Sequence, residues 1–164
     1  MPRPDWNYME EYGMLISSRP DRDEWLMSIA LLTAKRSTCS RAQVGAIVTN
    51  GGRIISTGYN GAPSGMDHCG HPEIEPPETG CKKAVHAEAN AIAAAAKLGI
   101  ATQDAVMYTT LSPCYTCAQL IINAGIGEVV FFESYRDSAG WELLQRGGVN
   151  VGKYYNSALD QGRS

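Results

Sequence analysis

Two short segments, far apart in the chain, constrain every fold it can adopt. One is His86-Ala87-Glu88 and the other is Pro113-Cys114-Tyr115-Thr116-Cys117. Together they supply one imidazole, two thiolates and one free carboxylate. Three of these groups can hold a metal ion and leave a fourth coordination position for water, whose protons the carboxylate can move. A fold that uses them must bring two helix starts side by side.

Cys114 and Cys117 are three apart at the start of an expected helix, which puts both sulfurs on one face, within reach of one ion. A helix N-terminus also favours thiolate over thiol. Pro113 suits the entry into that helix. His86 begins a second expected helix. Two cysteines and one histidine form a zinc set with an open position, unlike the carboxylate-rich sites of magnesium or calcium. Glu88 poses a difficulty, because residues two apart on a helix point to nearly opposite sides. The conflict eases if His86 lies in the first turn and the ion sits beyond the helix end, with Glu88 reaching back as proton shuttle and not as ligand. Taken singly, the Cys-x-x-Cys also suits a redox pair or half a structural site, the histidine a surface or core position, and the glutamate a solvated face. Their joint occurrence on helix starts favours catalysis.

The 164 residues suit one domain, residues 1–164, with enough chain for a real core. Hydrophobic residues make up 44% and charged residues 19%, as in a soluble globular protein. The net charge of −3 makes the chain a poor general binder of polynucleotides, since phosphate contacts need clustered Lys and Arg. No stretch has the length and apolarity of a membrane span, and residues 1–22 lack an apolar signal core, so a cytoplasmic protein is expected. Five cysteines in such a chain argue for metal binding over a disulfide framework.

Residues 1–20 read as an arm, partly helical at 8–12. Residues 21–37 look helical, with Asp21 as cap and Leu26, Ile29, Ala30 and Thr33 in helical register. Two apolar runs, 44–49 and 53–57, flank the hairpin signal Asn50-Gly51. Residues 58–83 are too long and too rich in Gly, Pro and Asn for an ordinary connection, and a functional or metal-stapled loop is expected. Helices follow at 84–98, closed by Gly99, at 114–124, closed by Gly125, and at 138–146. Strands are expected at 105–110, 129–133 and 149–155, and a polar tail at 156–164. From residue 84 onward the order α-β-α-β-α-β implies a layered α/β sheet.

The same residues resemble the cytidine deaminase superfamily, for which His-x-Glu followed by Pro-Cys-x-x-Cys is the signature. The resemblance is strongest to the deoxycytidylate (dCMP) deaminases, phage and bacterial members included, and runs from about Trp25 to Tyr135. It is carried by Cys39-Ser40-Arg41-Ala42-Gln43-Val44-Gly45-Ala46, by Gly58-Tyr59-Asn60-Gly61-Ala62-Pro63, by Val85-His86-Ala87-Glu88-Ala89-Asn90-Ala91-Ile92 and by Ser112-Pro113-Cys114-Tyr115-Thr116-Cys117. The zinc motif identifies the superfamily, and the Gly-Tyr-Asn-Gly stretch with the long segment before His86 points to dCMP. The resemblance implies an α/β/α sandwich around a mixed five-stranded sheet. It also implies hydrolysis of dCMP to dUMP and ammonia, with Zn2+ on His86, Cys114 and Cys117 and with Glu88 as catalytic acid and base. Ala87 and Ser112 fall within the matched motifs as substrate contacts. Asn60 would contact sugar or base, Arg41 and Gln43 would face the 5′-phosphate, and Tyr135 would line the pocket. A turn asparagine, a surface arginine and a packed tyrosine are the competing readings. The resemblance further implies a homohexamer, activation by dCTP and inhibition by dTTP with Mg2+ at Gly58, Tyr59, Asn60 and Gly61. An ordinary glycine-rich turn is the alternative there. The product would feed thymidylate synthesis, in the host cytoplasm if the chain is phage-encoded.

Cys39, Cys69, His71 and Cys81 could close a second, structural Zn2+ site, with His68 as an alternative ligand. The competing reading leaves them unpaired in a polar loop. Three rival functions share the motif: a deaminase of tRNA or single strands, a deaminase of free cytidine, and a non-catalytic zinc-stabilised nucleotide sensor. The few basic clusters, Lys35-Arg36 and Lys82-Lys83, disfavour the first. A strict demand for phosphate would exclude the second. The free carboxylate of Glu88 has no use in the third.

Overall fold

A computed structural model describes residues 19–39, 41–69, 81 and 83–155. The element order is α1 (Arg22–Ala34), β1 (Gly45–Asn50), β2 (Arg53–Tyr59), α2 (Ala87–Lys97), β3 (Val106–Leu111), α3 (Tyr115–Asn123), β4 (Glu128–Glu133), α4 (Ala139–Arg146) and β5 (Asn150–Lys153). The five strands form one sheet in the order β2-β1-β3-β4-β5. β1 runs antiparallel to β2 and β3, whereas β3, β4 and β5 are mutually parallel, so the sheet is mixed. The expected arm helix at 8–12 and the tail at 156–164 lie outside the described residues.

Strand alternation builds the three layers. Ala46, Val48, Met107 and Val129 point to one face and pack with Ala87, Ala91, Ile121 and Leu144 of α2, α3 and α4. Their neighbours Ile47 and Tyr108 point to the other face and pack with Leu26, Met27 and Ala30 of α1. This is the expected α/β/α sandwich. Asp21 caps α1, its carboxylate accepting a hydrogen bond from the Glu24 backbone N–H at 2.8 Å.

The hairpin is displaced by one residue from its sequence signal. Asn50 pairs with Arg53 as the last rung, and Gly51 and Gly52, both at positive φ, form the turn. Two consecutive left-handed residues match the twist of the flanking strands, and glycine takes both positions without steric cost. Parallel β3 and β4 direct their C-terminal ends, and the loops beyond them, to the edge where the helix starts of α2 and α3 converge. Such a strand end is where ligands bind in α/β sheets.

Candidate active site

His86 and Cys114 both occupy N-cap positions, of α2 and α3 respectively. Both have extended backbones, and neither side chain caps its own helix. Residues that would ordinarily satisfy the free N–H groups are thus replaced by ligand side chains. The conflict between His86 and Glu88 disappears in this geometry. His86, at φ −70 and ψ 155, is not helical, and only Ala87 and Glu88 enter the first turn. Pro113 stands before the cap of α3 and not at its first helical position.

The His86 Nδ1 lies 3.4 Å from the Cys114 sulfur and 3.5 Å from the Cys117 sulfur. The three ligand atoms fall within 4.8 Å of one another. A nitrogen and two sulfurs at this spacing fit a borderline-soft ion such as zinc. The hydrogen bond of Cys114 with Cys117, reinforced by His86, holds the Cys114 thiol down at about 4. The same bond with Cys114, together with burial, pushes the Cys117 thiol up. Hydrogen bonding to Cys114 raises the His86 pKa despite burial. Glu88 is 4% exposed, and burial raises its carboxyl above the ordinary range. Its carboxyl contacts its own backbone N–H and the Cys117 thiol.

A cavity of ≈ 320 Å³ opens onto this cluster. Arg41, Asn60, Ala87, Ser112 and Tyr135 line it, together with His86, Glu88 and Cys114. Asn60 is buried, and two hydrogen bonds of its amide hold the wall. Its amide oxygen accepts the Val44 N–H and its amide nitrogen donates to the Ala42 carbonyl, each at 2.8 Å. Gln43 lies outside this cavity, exposed on a second one of ≈ 260 Å³ with Lys35, Phe132 and Glu133. Ala42 and Val44 line both cavities, so the two share a wall at this segment. Two residues without a sequence signal of their own also matter here. Asn90 donates to the Tyr59 carbonyl at 2.8 Å, tying α2 to the end of β2. Arg136 lines the cavity beside Tyr135.

Tight backbone packing fixes the two helix starts. A side chain on Gly58 would sit 2.2 Å from the Ala87 carbonyl oxygen, and one on Gly140 would sit 1.9 Å from that of Pro113. Gly58 therefore has a packing role independent of any effector. Gly61 exchanges two backbone hydrogen bonds with Val85, next to His86, so the Gly58–Gly61 stretch braces the site directly.

Cys39, Cys69 and Cys81 form a second group whose sulfurs lie within 4.8 Å of one another, with Cys69 and Cys81 at 3.5 Å. His71 lies outside the described residues, and His68 is not in this group. Burial and contact with Cys81 push the Cys69 thiol up to about 11. Burial opposes ionisation of Cys81, but contact with Cys69 and hydrogen bonds from the backbone of Ala84 and Lys83 outweigh it and lower its pKa. Cys39 and Cys81 also line the main cavity, so this cluster is part of its wall.

The sandwich and its His-Cys-Cys cluster, with a buried carboxyl alongside, match the ligand set of a catalytic zinc centre. The chain belongs to the cytidine and deoxycytidylate deaminase zinc-binding family, whose model matches residues 20–133. It is 36% identical over 160 residues to a deoxycytidylate deaminase of Schizosaccharomyces pombe, covering 91% of this chain and 49% of the relative. It is 40% identical over 125 residues to the deoxycytidylate deaminase of Mycobacterium phage D29, covering 70% of this chain and 96% of the phage protein. The chain thus spans about half the length of the yeast relative and nearly all of the phage one. The crystal structure of a cyanophage S-TIM5 dCMP deaminase in complex with dCMP and dUMP superposes with a TM-score of 0.76 at 35% identity, covering 84% of this chain and 99% of that one. Among the described residues, no helix is long and apolar enough to cross a membrane.

Proposed function

We propose that the chain hydrolyses dCMP to dUMP and ammonia. The observation that carries this reading is the buried carboxyl of Glu88 beside the His86–Cys114–Cys117 cluster on the floor of a nucleotide-sized cavity. The names of the yeast and phage relatives, and the nucleotides held by the cyanophage enzyme, support dCMP as substrate. His86, Cys114 and Cys117 would hold the ion. Zinc, when bound, lowers the pKa of a water toward neutrality and so supplies the nucleophile at pH 7. Glu88 accepts a proton from the water that attacks C4 of cytosine and delivers it to N3. A second proton passed through Glu88 reaches the amino group, which leaves as ammonia while the C4 carbonyl forms. Each transfer needs a carboxyl shielded from solvent and within reach of the reacting atoms. Arg41, Asn60, Ala87, Ser112 and Tyr135 would complete the substrate envelope, with Asn60 also fixing its wall.

Cys39, Cys69 and Cys81 would hold a second, structural zinc with His71 as fourth ligand. Three sulfurs already gathered around one point support this reading. The homohexamer, activation by dCTP, inhibition by dTTP with Mg2+ around Gly58–Gly61, a cytoplasmic location and supply of dUMP for thymidylate synthesis rest on family likeness. The deciding assay follows ammonia release from dCMP, deoxycytidine and CMP by the zinc-loaded protein, with and without dCTP. Turnover preferring dCMP, and stimulated by dCTP, is expected. Deoxycytidine turned over as well as dCMP would move the assignment to nucleosides. No turnover of any of the three would contradict the deaminase reading.

A further inference from the structure

One helix is too narrow to cover five strands. With strands about 4.8 Å apart the sheet spans about 19 Å from β2 to β5, whereas a helix is about 10 Å wide. On one face α2, α3 and α4 share the task. On the other face the described residues supply α1, which packs chiefly on β1 and β3.

Beside α1 lies a strip built by β4 and β5. Val130 and Phe132 belong to it, and Tyr154, just past β5, packs on Phe132 with ring centroids 6.3 Å apart. All three are only half-buried. Gly152 is in register with Val130 and so shares this face. Its φ is not positive, and a side chain built on it meets none of the described atoms within 4 Å. The strip is therefore an open groove. Its other bank is α1, where Glu24, Ser28, Leu31 and Lys35 follow one another at helical spacing. Leu31 and Lys35 meet Phe132 around the cavity of ≈ 260 Å³. At the opposite end, Asp21 and Glu24 lie close enough to Tyr154 to act on its hydroxyl.

The described chain begins at Arg19, two residues before the Asp21 cap, and thus at the Tyr154 end of the groove. From there to Lys35, α1 rises about 21 Å. Eighteen residues reach about 27 Å as a helix and about 60 Å extended, so residues 1–18 are long enough in either form. Their sequence suits an apolar groove, with Trp6, Met9, Tyr12 and the run Met14-Leu15-Ile16. They also precede the part of the chain that matches the family, which starts at residue 20.

We infer that residues 1–18 dock along this groove as a second element on the α1 face, with their apolar side chains against Val130, Phe132, Tyr154 and the open position at Gly152. The cavity at the far end shares Ala42, Val44 and Leu111 with the active-site cavity, so the docked arm braces the wall of the site from behind.

The test compares the full chain, a chain lacking residues 1–18, and the full-length variant Gly152→Gln. Chymotrypsin cleavage after Trp6 and Tyr12, melting temperature, binding of a hydrophobic dye, oligomeric state and zinc content are measured. The deletion should lower the melting temperature by about 5–10 °C and create dye binding, and a synthetic peptide of residues 1–18 should reverse both. Gly152→Gln should speed cleavage by about 10-fold or more with zinc content unchanged, because the added side chain meets only the docked arm. A deleted chain with the parental melting temperature and no dye binding would overturn the inference, and an unchanged oligomer would then put a second copy on the strip. If the deleted chain does not fold, the two full-length proteins decide. Parental cleavage as fast as that of the free peptide, or a rate unmoved by Gly152→Gln, would overturn the inference.

Discussion

At the scale of single residues, Glu88 is a carboxyl that burial alone would leave costly. Its contacts with the Cys117 thiol and with its own N–H offset part of that cost, and a cation bound by His86, Cys114 and Cys117 would offset more. Gly140 is the least replaceable neighbour of this arrangement. Its missing side chain leaves room for the Pro113 carbonyl, and the chain cannot give way there without moving Cys114. Gly140→Ala is expected to cost at least about 1–3 kcal/mol in thermal or denaturant unfolding and to lower zinc content with it. Full zinc content and parental stability would show that the helix start has slack. The ligand residues were legible in the sequence because metal chemistry restricts both residue type and spacing. The relation of His86 to Glu88 was not, since it turns on whether one residue is the cap or the first helical turn, and pattern does not resolve a boundary that finely. Arg136 carried no periodic signal, and its adjacency to Tyr135 was the one clue available.

Elements show the same division. Among the described residues, α1 is the one helix on its face of the sheet, which it meets through Leu26, Met27 and Ala30. Its acidic first turn faces two tyrosines. The Tyr108 hydroxyl donates to the Asp23 carboxylate at 2.6 Å, and burial, then Asp23, pushes its pKa well above the ordinary 10.0. Burial, then Glu24, Asp21 and Asp23, pushes Tyr154 up to about 12. A raised pKa favours the protonated, folded form. The stabilisation is therefore complete below about pH 10, where unfolded tyrosine titrates, and is lost as pH rises toward the folded values. Tyr108→Phe should cost about 1–3 kcal/mol at neutral pH and should flatten the fall in stability above pH 10, measured by urea unfolding across that range. An unchanged alkaline slope would remove Tyr108 from this account. Helix and strand order was readable from period and from the stops at Gly99 and Gly125. The start of α2 was not: residues 84–86 read as helix, but Val85 pairs with Gly61 and delays the helix to Ala87. That long-range pairing leaves no local trace.

For the whole molecule, the β3 and β4 ends and the α2 and α3 starts meet along one edge, and both thiol groups open onto the same cavity. The second group was legible as a set of spare ligands in an overlong loop, whereas its place in the active-site wall depends on how β1 and the loop after β2 come together. Cys81→Ser should reduce zinc from about two to about one per chain and lower the melting temperature while His86, Cys114 and Cys117 keep their ion. Two zincs retained would exclude Cys81 as a ligand. Glu88→Gln offers the most direct test of the central claim, that a shielded carboxyl moves protons beside a His-Cys-Cys centre. The measurement is kcat and KM on dCMP together with zinc content. The account predicts a fall in kcat of about 100- to 10,000-fold, with zinc content and KM close to those of the parent. Substantial turnover by Glu88→Gln with its zinc in place would contradict it.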